Sequence, residues 1–360
     1  MQTDKYAAGR LTRRRFALAG GAAAAGALGA FAVRPTEAHA AHVTAADAAH
    51  AAAGTAEAAA GGRFDLSVPS TQLIREKAPH NNTVLQSFAF DDANGHLYTI
   101  QLMQGGIRLS GESAPVSGAD RAARGDMCIT KLSLTGSKLG HMYVRGFGHG
   151  VSIGCEPVGT TAQLWTESDA NPDSGYGRAI SRFAYQDGAV LDSGSSALAT
   201  HRPVAGSTSN QPAVDMLNKR LLLRYRQGGE VRYRLMSLAG VTAGDYSAVY
   251  DDIPQAGVEE GEVFQGFTVL GDYVYQLTGT AYSDENGPNP PSGHGNAHVS
   301  CVDLRTGELV QRARTEAGYS LDYREPEGMA VQLTSPRRLC MGFASGASGA
   351  RELSVYYKPQ

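Results

Sequence analysis

Five polar residues recur at nearly even spacing along this chain: Gln86, His149, Gln211, Gln265 and Glu327, separated by 63, 62, 54 and 62 positions. Each opens a short run in which large and small side chains alternate: QSFAF, HGVSI, QPAVD, QGFTV and EGMAV. Near these positions in sequence or by repeat layout lie Arg145, His201, Arg202, Tyr319, Tyr323, Arg324 and Glu325. Amides offer hydrogen bonds without adding charge, and arginine offers paired donors to a carboxylate or phosphate. The combination suits a polar, anionic ligand such as a uronate or a glycerol phosphate. The competing reading is that the five residues only satisfy neighbouring backbone groups.

Three chemistries are compatible with this inventory. Binding needs only shape and hydrogen bonds. A polysaccharide lyase needs a base, His149 or Tyr323, to take the proton α to a uronate, and a partner such as Arg324 or the amides to neutralise its carboxylate. A glycosidase needs two facing carboxylates, and here Glu327 has Glu325, Asp322 and Glu262 as candidates. Binding is the expected function and cleavage the alternative. A single Trp weakens a stacking lectin, although 16 Tyr compensate in part.

No cofactor or metal is expected. His294 and His298 have the spacing of two helical zinc ligands, but Pro290, Pro291, Gly293 and Gly295 disfavour a helix there. Ser283–Gly287 (SDENG) lacks the terminal bidentate Glu of a calcium loop. No nucleophile elbow, Walker loop or dinucleotide fingerprint occurs in a strand-turn-helix context. Arg224, Arg226, Arg232 and Arg234 make a basic hairpin that could meet an acidic polymer or simply be solvated.

The elements that must position these residues follow from the repeat. The second column is Ser87, Gly150, Pro212, Gly266 and Gly328; the third is Phe88, Val151, Ala213, Phe267 and Met329. Period-two alternation describes a strand packed on both faces. A second strand follows each (HLYTIQL, AQLWTE, RLLLRYR, YVYQLTG, RRLCMGF), then a third (MCITKLSL, RAISRFAY, VRYRLMSL, HVSCVDL, ELSVYY). A fourth follows in all but the last repeat: HMYVRG, AVLDSG, YSAVYD and LVQRAR. Four strands in each of five repeats predict an all-β, five-bladed β-propeller over 63–360. An N-terminal strand, Arg63–Val68, is expected to complete the last blade and remove its open edge. Pro212 fits an inner strand, which is an edge. The long loops (103–126, 167–177, 279–297) and blade connections (194–210, 253–264, 316–326) fall on one face with the polar ring. That face is the expected site.

Blades opening on Phe264-Gln265-Gly266-Phe267 and Arg324-Glu325-Pro326-Glu327-Gly328, behind an export signal, resemble the propeller of teichoic-acid-biosynthesis-protein-C-like proteins. The receptor-binding proteins of certain staphylococcal phages share that propeller. The resemblance covers about residues 63–360 and implies contact with cell-wall glycopolymers such as teichoic acid. It leaves catalysis open, because propellers host many functions.

The export signal is Thr12-Arg13-Arg14-Arg15-Phe16-Ala17-Leu18, a twin-arginine pattern, followed by an uncharged Ala- and Gly-rich run to Val33. Ala38-His39-Ala40 places small residues where a signal peptidase reads, so residues 1–40 form the signal with cleavage after Ala40. Residues 41–62 read as an Ala-rich linker. The protein is therefore expected outside the cytoplasm, with the twin-arginine translocase as partner during export and no stable membrane span afterwards. A net charge of −3 argues against nucleic acid as a partner. Four cysteines, Cys128, Cys155, Cys301 and Cys340, sit in strand-like contexts without C-x-x-C spacing. Buried thiols are the preferred reading and two disulfides the alternative. A third functional possibility, a protein-interaction platform in the envelope, would show as apolar exposure on the loop face.

Overall fold

Each alternating run folds as the inner strand of a blade, because its small residues face neighbouring strands around a common axis while its large ones fill the space between sheets. The computed structural model describes residues 61–283, 287–290 and 295–360. The twin-arginine signal, the Ala40 cleavage point, all of the linker but Gly61 and Gly62, residues Asp284–Asn286 and His294 lie outside the described residues.

Strand β1 is Thr71–Lys77. Blade 1 holds β2 (Leu85–Asp91), β3 (His96–Leu102), β4 (Met127–Ser133) and β5 (Lys138–Arg145). Blade 2 begins with β6 (Ile153–Val158), β7 (Thr161–Ala170) and β8 (Gly177–Ala184), followed by β9 (Val190–Asp192) and β10 (Ala199–His201). Blade 3 comprises β11 (Thr208–Asp215), β12 (Arg220–Gln227), β13 (Glu230–Ser237) and β14 (Ile253–Pro254). Blade 4 comprises β15 (Phe264–Leu270), β16 (Tyr273–Thr278), β17 (Ala297–Asp303) and β18 (Leu309–Thr315). Blade 5 has β19 (Glu325–Gln332), β20 (Arg338–Ser345) and β21 (Glu352–Pro359), and β1 pairs antiparallel with β21 to complete it. The five-bladed propeller of four-stranded blades expected from the repeat is thus observed.

Three details differ from the expectation. The closing strand is β1, not Arg63–Val68. Phe64 and Leu66 are instead buried among Leu270, Tyr275, Leu321 and Tyr356. Their backbone N–H groups donate to the Tyr275 hydroxyl (3.0 Å) and Gln311 Oε1 (3.1 Å), so this segment is tethered by side chains and not by a ladder. The segment 189–194 does not complete blade 2. Its β9 adds in parallel to β5 of blade 1, where Val190 pairs with Tyr143 and Asp192 with Arg145. This covers an edge that β5 would otherwise expose, and the fourth strand of blade 2 is β10, paired with β8. In blade 3, likewise, the fourth strand is β14 and not 246–251.

The second column is small for a physical reason. A Cβ on Gly266 would lie 2.5 Å from the Gly328 Cα, and one on Gly328 would lie 2.6 Å from the Ser87 Cα. The inner strands of blades 4, 5 and 1 approach backbone to backbone at this level. Gly328 also has φ +72°, a left-handed conformation that glycine adopts at little cost. Pro212 lies on β11, which among the described residues pairs in a ladder with β12 alone, so its missing N–H breaks no bond. The third column, Phe88, Val151, Ala213, Phe267 and Met329, is buried throughout. Further along the axis a small cavity of about 40 Å³ is lined by the ends of the inner strands, Ala89, Val214, Thr268 and Ala330 among them. All four cysteines are free, buried thiols.

Candidate functional site

Strand directions place the β3–β4, β7–β8, β16–β17 and β20–β21 loops on the face where the inner strands begin, as the loop lengths predicted. The loop from Met103 to Asp126 carries helix α1 (Gly118–Arg124), capped by the Ser117 hydroxyl and by Gly125 in the left-handed conformation. Arg121 of α1 has no exposed surface. Its guanidinium donates to both oxygens of Glu112 (2.5 and 2.6 Å), to Asp126 Oδ2 (2.9 Å) and to Ile107 O (3.0 Å). These charge-assisted bonds pin the long loop onto blade 1. Glu112 responds electrostatically: the Arg121 hydrogen bonds hold its carboxyl down at about 2.

The face between blades 1 and 2 is organised by a residue that sequence reasoning passed over, Glu167. Its carboxylate is fully buried at the end of β7, accepting from Gly150 N (2.6 Å) and Gly177 N (2.7 Å), with His149 N and Val151 N also donating. Burial pushes its pKa up and the four amides oppose that, so the carboxylate sits in a nest of oriented N–H dipoles. Gly148 must be glycine, since a Cβ there would lie 2.3 Å from Glu167 side-chain atoms. The result is a fixed loop that sets the His149 imidazole against the Tyr176 ring, with centroids 4.9 Å apart and planes 24° from parallel. The sequence carried little signal for it, because β7 (TAQLWTESDA) holds Thr166, Ser168 and Asp169 around the same position.

Beside this stack, Asp169 is bridged by two arginines. Arg178 Nη2 donates to its Oδ1 (2.6 Å) and Arg202 Nη2 to its Oδ2 (2.7 Å). Burial raises the Asp169 pKa, but the two guanidiniums more than offset this and leave it lowered. With two cations on one carboxylate and side chains 45% and 55% exposed, this group presents net positive charge to solvent. Arg145 makes a paired contact with Asp192 (2.6 and 2.8 Å) that joins β5 to β9. His201 lies on the outer strand of blade 2, next to Arg202 in the chain, but is itself buried between blades, stacked on Trp165 (5.5 Å) and 3.3 Å from the Tyr246 hydroxyl.

The repeat-opening residues converge on the axis, but four of them are 2–6% exposed: Gln86, Gln211, Gln265 and Glu327. Gln265 Nε2 donates to Gly279 O (2.9 Å), and Gln211 Oε1 accepts from Arg224 Nη1 (2.9 Å). His149, half-buried, is the member that reaches the surface. Arg324 has no exposed surface. Its Nε donates to Ala317 O (3.0 Å), its Nη1 to Asn296 Oδ1 (3.2 Å), and the guanidinium lies 4.4 Å over the Phe343 ring. Burial lowers its pKa to about 10. Tyr323 is held at φ +54° beside Pro288, where its N–H donates to the proline carbonyl at 2.5 Å. In the basic hairpin, Arg232 meets Glu230 and Arg234 meets Asp252, while Arg224 lies 3.9 Å over the Phe264 ring. His298 pairs with Glu262 at 3.1 Å.

A family model described as the phage 5-bladed beta propeller receptor binding platform domain matches residues 84–357. The chain is 27% identical over 306 residues to the Bacillus subtilis (strain 168) protein named for major teichoic acid biosynthesis, protein C. The match covers 81% of this chain and 63% of that protein, so the chain spans under two-thirds of its length. Among solved structures, the tail fiber of Staphylococcus aureus phage P68 overlays with a TM-score of 0.62 at 21% identity, over 82% of this chain and 54% of the fiber. The GH43_1 enzyme from Xanthomonas citri overlays with a TM-score of only 0.40 at 12% identity, over 81% and 90% of the two chains, and informs on no chemistry here. From 84 to 357, blade for blade, the chain belongs to the family of phage five-bladed β-propeller receptor-binding platform domains.

Proposed function

We propose that this protein is an exported propeller that binds an anionic cell-surface or extracellular glycopolymer, teichoic-acid-like or uronate-rich, through its loop-rich face. The observation that carries the reading is the exposed Arg178–Asp169–Arg202 group beside the His149–Tyr176 stack, on a propeller whose family is named for receptor binding. Guanidiniums suit phosphate or carboxylate, and a stacked aromatic pair suits the apolar face of a sugar. The teichoic acid for which the B. subtilis relative is named is the first polymer to try. The twin-arginine signal would deliver the folded propeller, cut after Ala40, to the compartment that holds such polymers.

The test is retention of the mature protein, from Ala41, on immobilised teichoic acid and on uronate-rich polysaccharide. Retention that falls with added salt and is lost in an Arg178→Ala/Arg202→Ala double variant is expected, since exposed charges are screened. Absence of retention on every polymer overturns the reading in favour of a protein-interaction platform. A lyase is the second reading, favoured by the half-buried, loop-held His149. New unsaturated-uronate absorbance that disappears in His149→Ala would establish it. Reducing ends without that absorbance would point to hydrolysis at Glu327 or its neighbours.

A further inference from the structure

Between blades 4 and 5, on the flank of the propeller, lies a groove of about 530 Å³, within the range of small-ligand sites. Its walls come from segments far apart in sequence: Arg75 on β1, Arg314 at the end of β18, Glu316 and Tyr319 in the following connection, and Tyr356 and Lys358 on β21. Among the described lining residues, three cations face one carboxylate. Lys358 is 3% exposed, and its ammonium donates to Val68 O at 2.6 Å, the one acceptor it reaches among the described residues. Arg314 donates to Gly295 O (2.7 Å) and has no carboxylate partner among the described residues. Arg75 donates to Glu76 and to the Tyr356 hydroxyl, both at 3.0 Å.

Burying an ammonium with no carboxylate in hydrogen-bonding contact is costly; the charge of Asp65, acting on Lys358 from further off, offsets that only in part. An anion in the groove would supply the missing acceptor for Lys358 and Arg314 together. Tyr319, 45% exposed, and Tyr356 add aromatic surface beside the cations, a surface that suits a sugar or polyol carbon skeleton. We infer that this inter-blade groove is a binding site for the anionic unit of a glycan, a sugar or polyol bearing a phosphate or carboxylate. The inference rests on the glycopolymer reading and adds a second point of attachment, away from the loop face.

The test uses the mature protein with glycerol phosphate and glucuronate as separate probes and methyl glucoside as the neutral control. Binding is followed by calorimetry. One or both anions are expected to bind, the preferred one identifying phosphate or carboxylate, and methyl glucoside is expected not to bind. Arg314→Gln, at an exposed position, is expected to weaken the anion by roughly tenfold, the loss of a charge-assisted bond, and Arg75→Gln to weaken it less. Unchanged anion affinity in both variants overturns the groove; retention on polymer would then still uphold the glycopolymer reading. Anion binding that falls in Arg314→Gln, in a protein retained on no polymer, upholds the groove and removes the polymer.

Discussion

Closure of the axis by the second column can be tested with three glycines that separate two costs. Gly95 has φ +70° and nothing within 4 Å of the point where a Cβ would stand, so Gly95→Ala isolates the left-handed backbone term, about 1–2 kcal/mol. Gly266 has no positive φ, but its Cβ would meet Gly328 backbone at 2.5 Å, so Gly266→Ala isolates overpacking, about 1–3 kcal/mol. Gly328 combines φ +72° with an approach of 2.6 Å to the Ser87 Cα, so Gly328→Ala is expected to cost about 2–5 kcal/mol. For a domain of this size each kcal/mol lowers Tm by about 2 °C, which predicts a drop of about 4–10 °C for Gly328→Ala against about 2–4 °C for Gly95→Ala. Scanning calorimetry of the mature protein measures both. A Gly328→Ala protein melting within about 1 °C of Gly95→Ala would refute the argument: the inner strands would then have room to part, and a ligand route through the ring of Gln86, Gln211, Gln265 and Glu327 would be open.

Glu167→Gln replaces two anionic acceptors with one carbonyl and an amide that opposes nearby N–H groups. It is expected to destabilise by about 2–4 kcal/mol and to weaken polymer retention by releasing the His149 loop, read by thermal melts and affinity chromatography together. Burial lowers the pKa of His80, His96 and His201 from 6.5; His80 is lowered further by His141 and Lys138 and opposed by Asp187. The unfolded chain therefore takes up protons first, and the histidine contribution to stability, complete above pH 6.5, is lost as pH falls below it. Melting temperatures from pH 7.5 to 5 should fall accordingly, and less steeply in His80→Gln. Burial raises Cys128 and Cys301 to about 12 and Cys155 and Cys340 further, so a thiol reagent should find none in the native protein and 4 after denaturation.

The propeller was legible because its causes are local and repeated. Alternating runs 54 to 63 residues apart specify strands with two buried faces, the small column at Ser87, Gly266 and Gly328 reflects an approach later seen between backbones, and Pro212 marks an edge. The need for an N-terminal strand to close blade 5 followed from a missing fourth strand. Which segment would serve did not. Arg63–Val68 and Thr71–Lys77 both carry apolar residues that can be buried, and only the register with β21 decides between them. The same holds for β9, whose sequence suits a strand equally well in either blade but whose Asp192 finds Arg145 on β5.

Candidate site residues divide along the same line. Residue type and spacing drew attention to His149, Arg202 and the amide ring, whereas Glu167 sits among the other polar residues of β7 and was not marked out by them. How far a polar side chain is withdrawn from solvent depends on how tightly five inner strands close around an axis, which no single repeat encodes. The inter-blade groove lay further out of reach, since Arg75, Arg314 and Lys358 belong to segments at opposite ends of the propeller domain. Periodicity determined the strands and their count; ring closure, a long-range event that joins the two ends of the propeller, decided which charges were left facing one another.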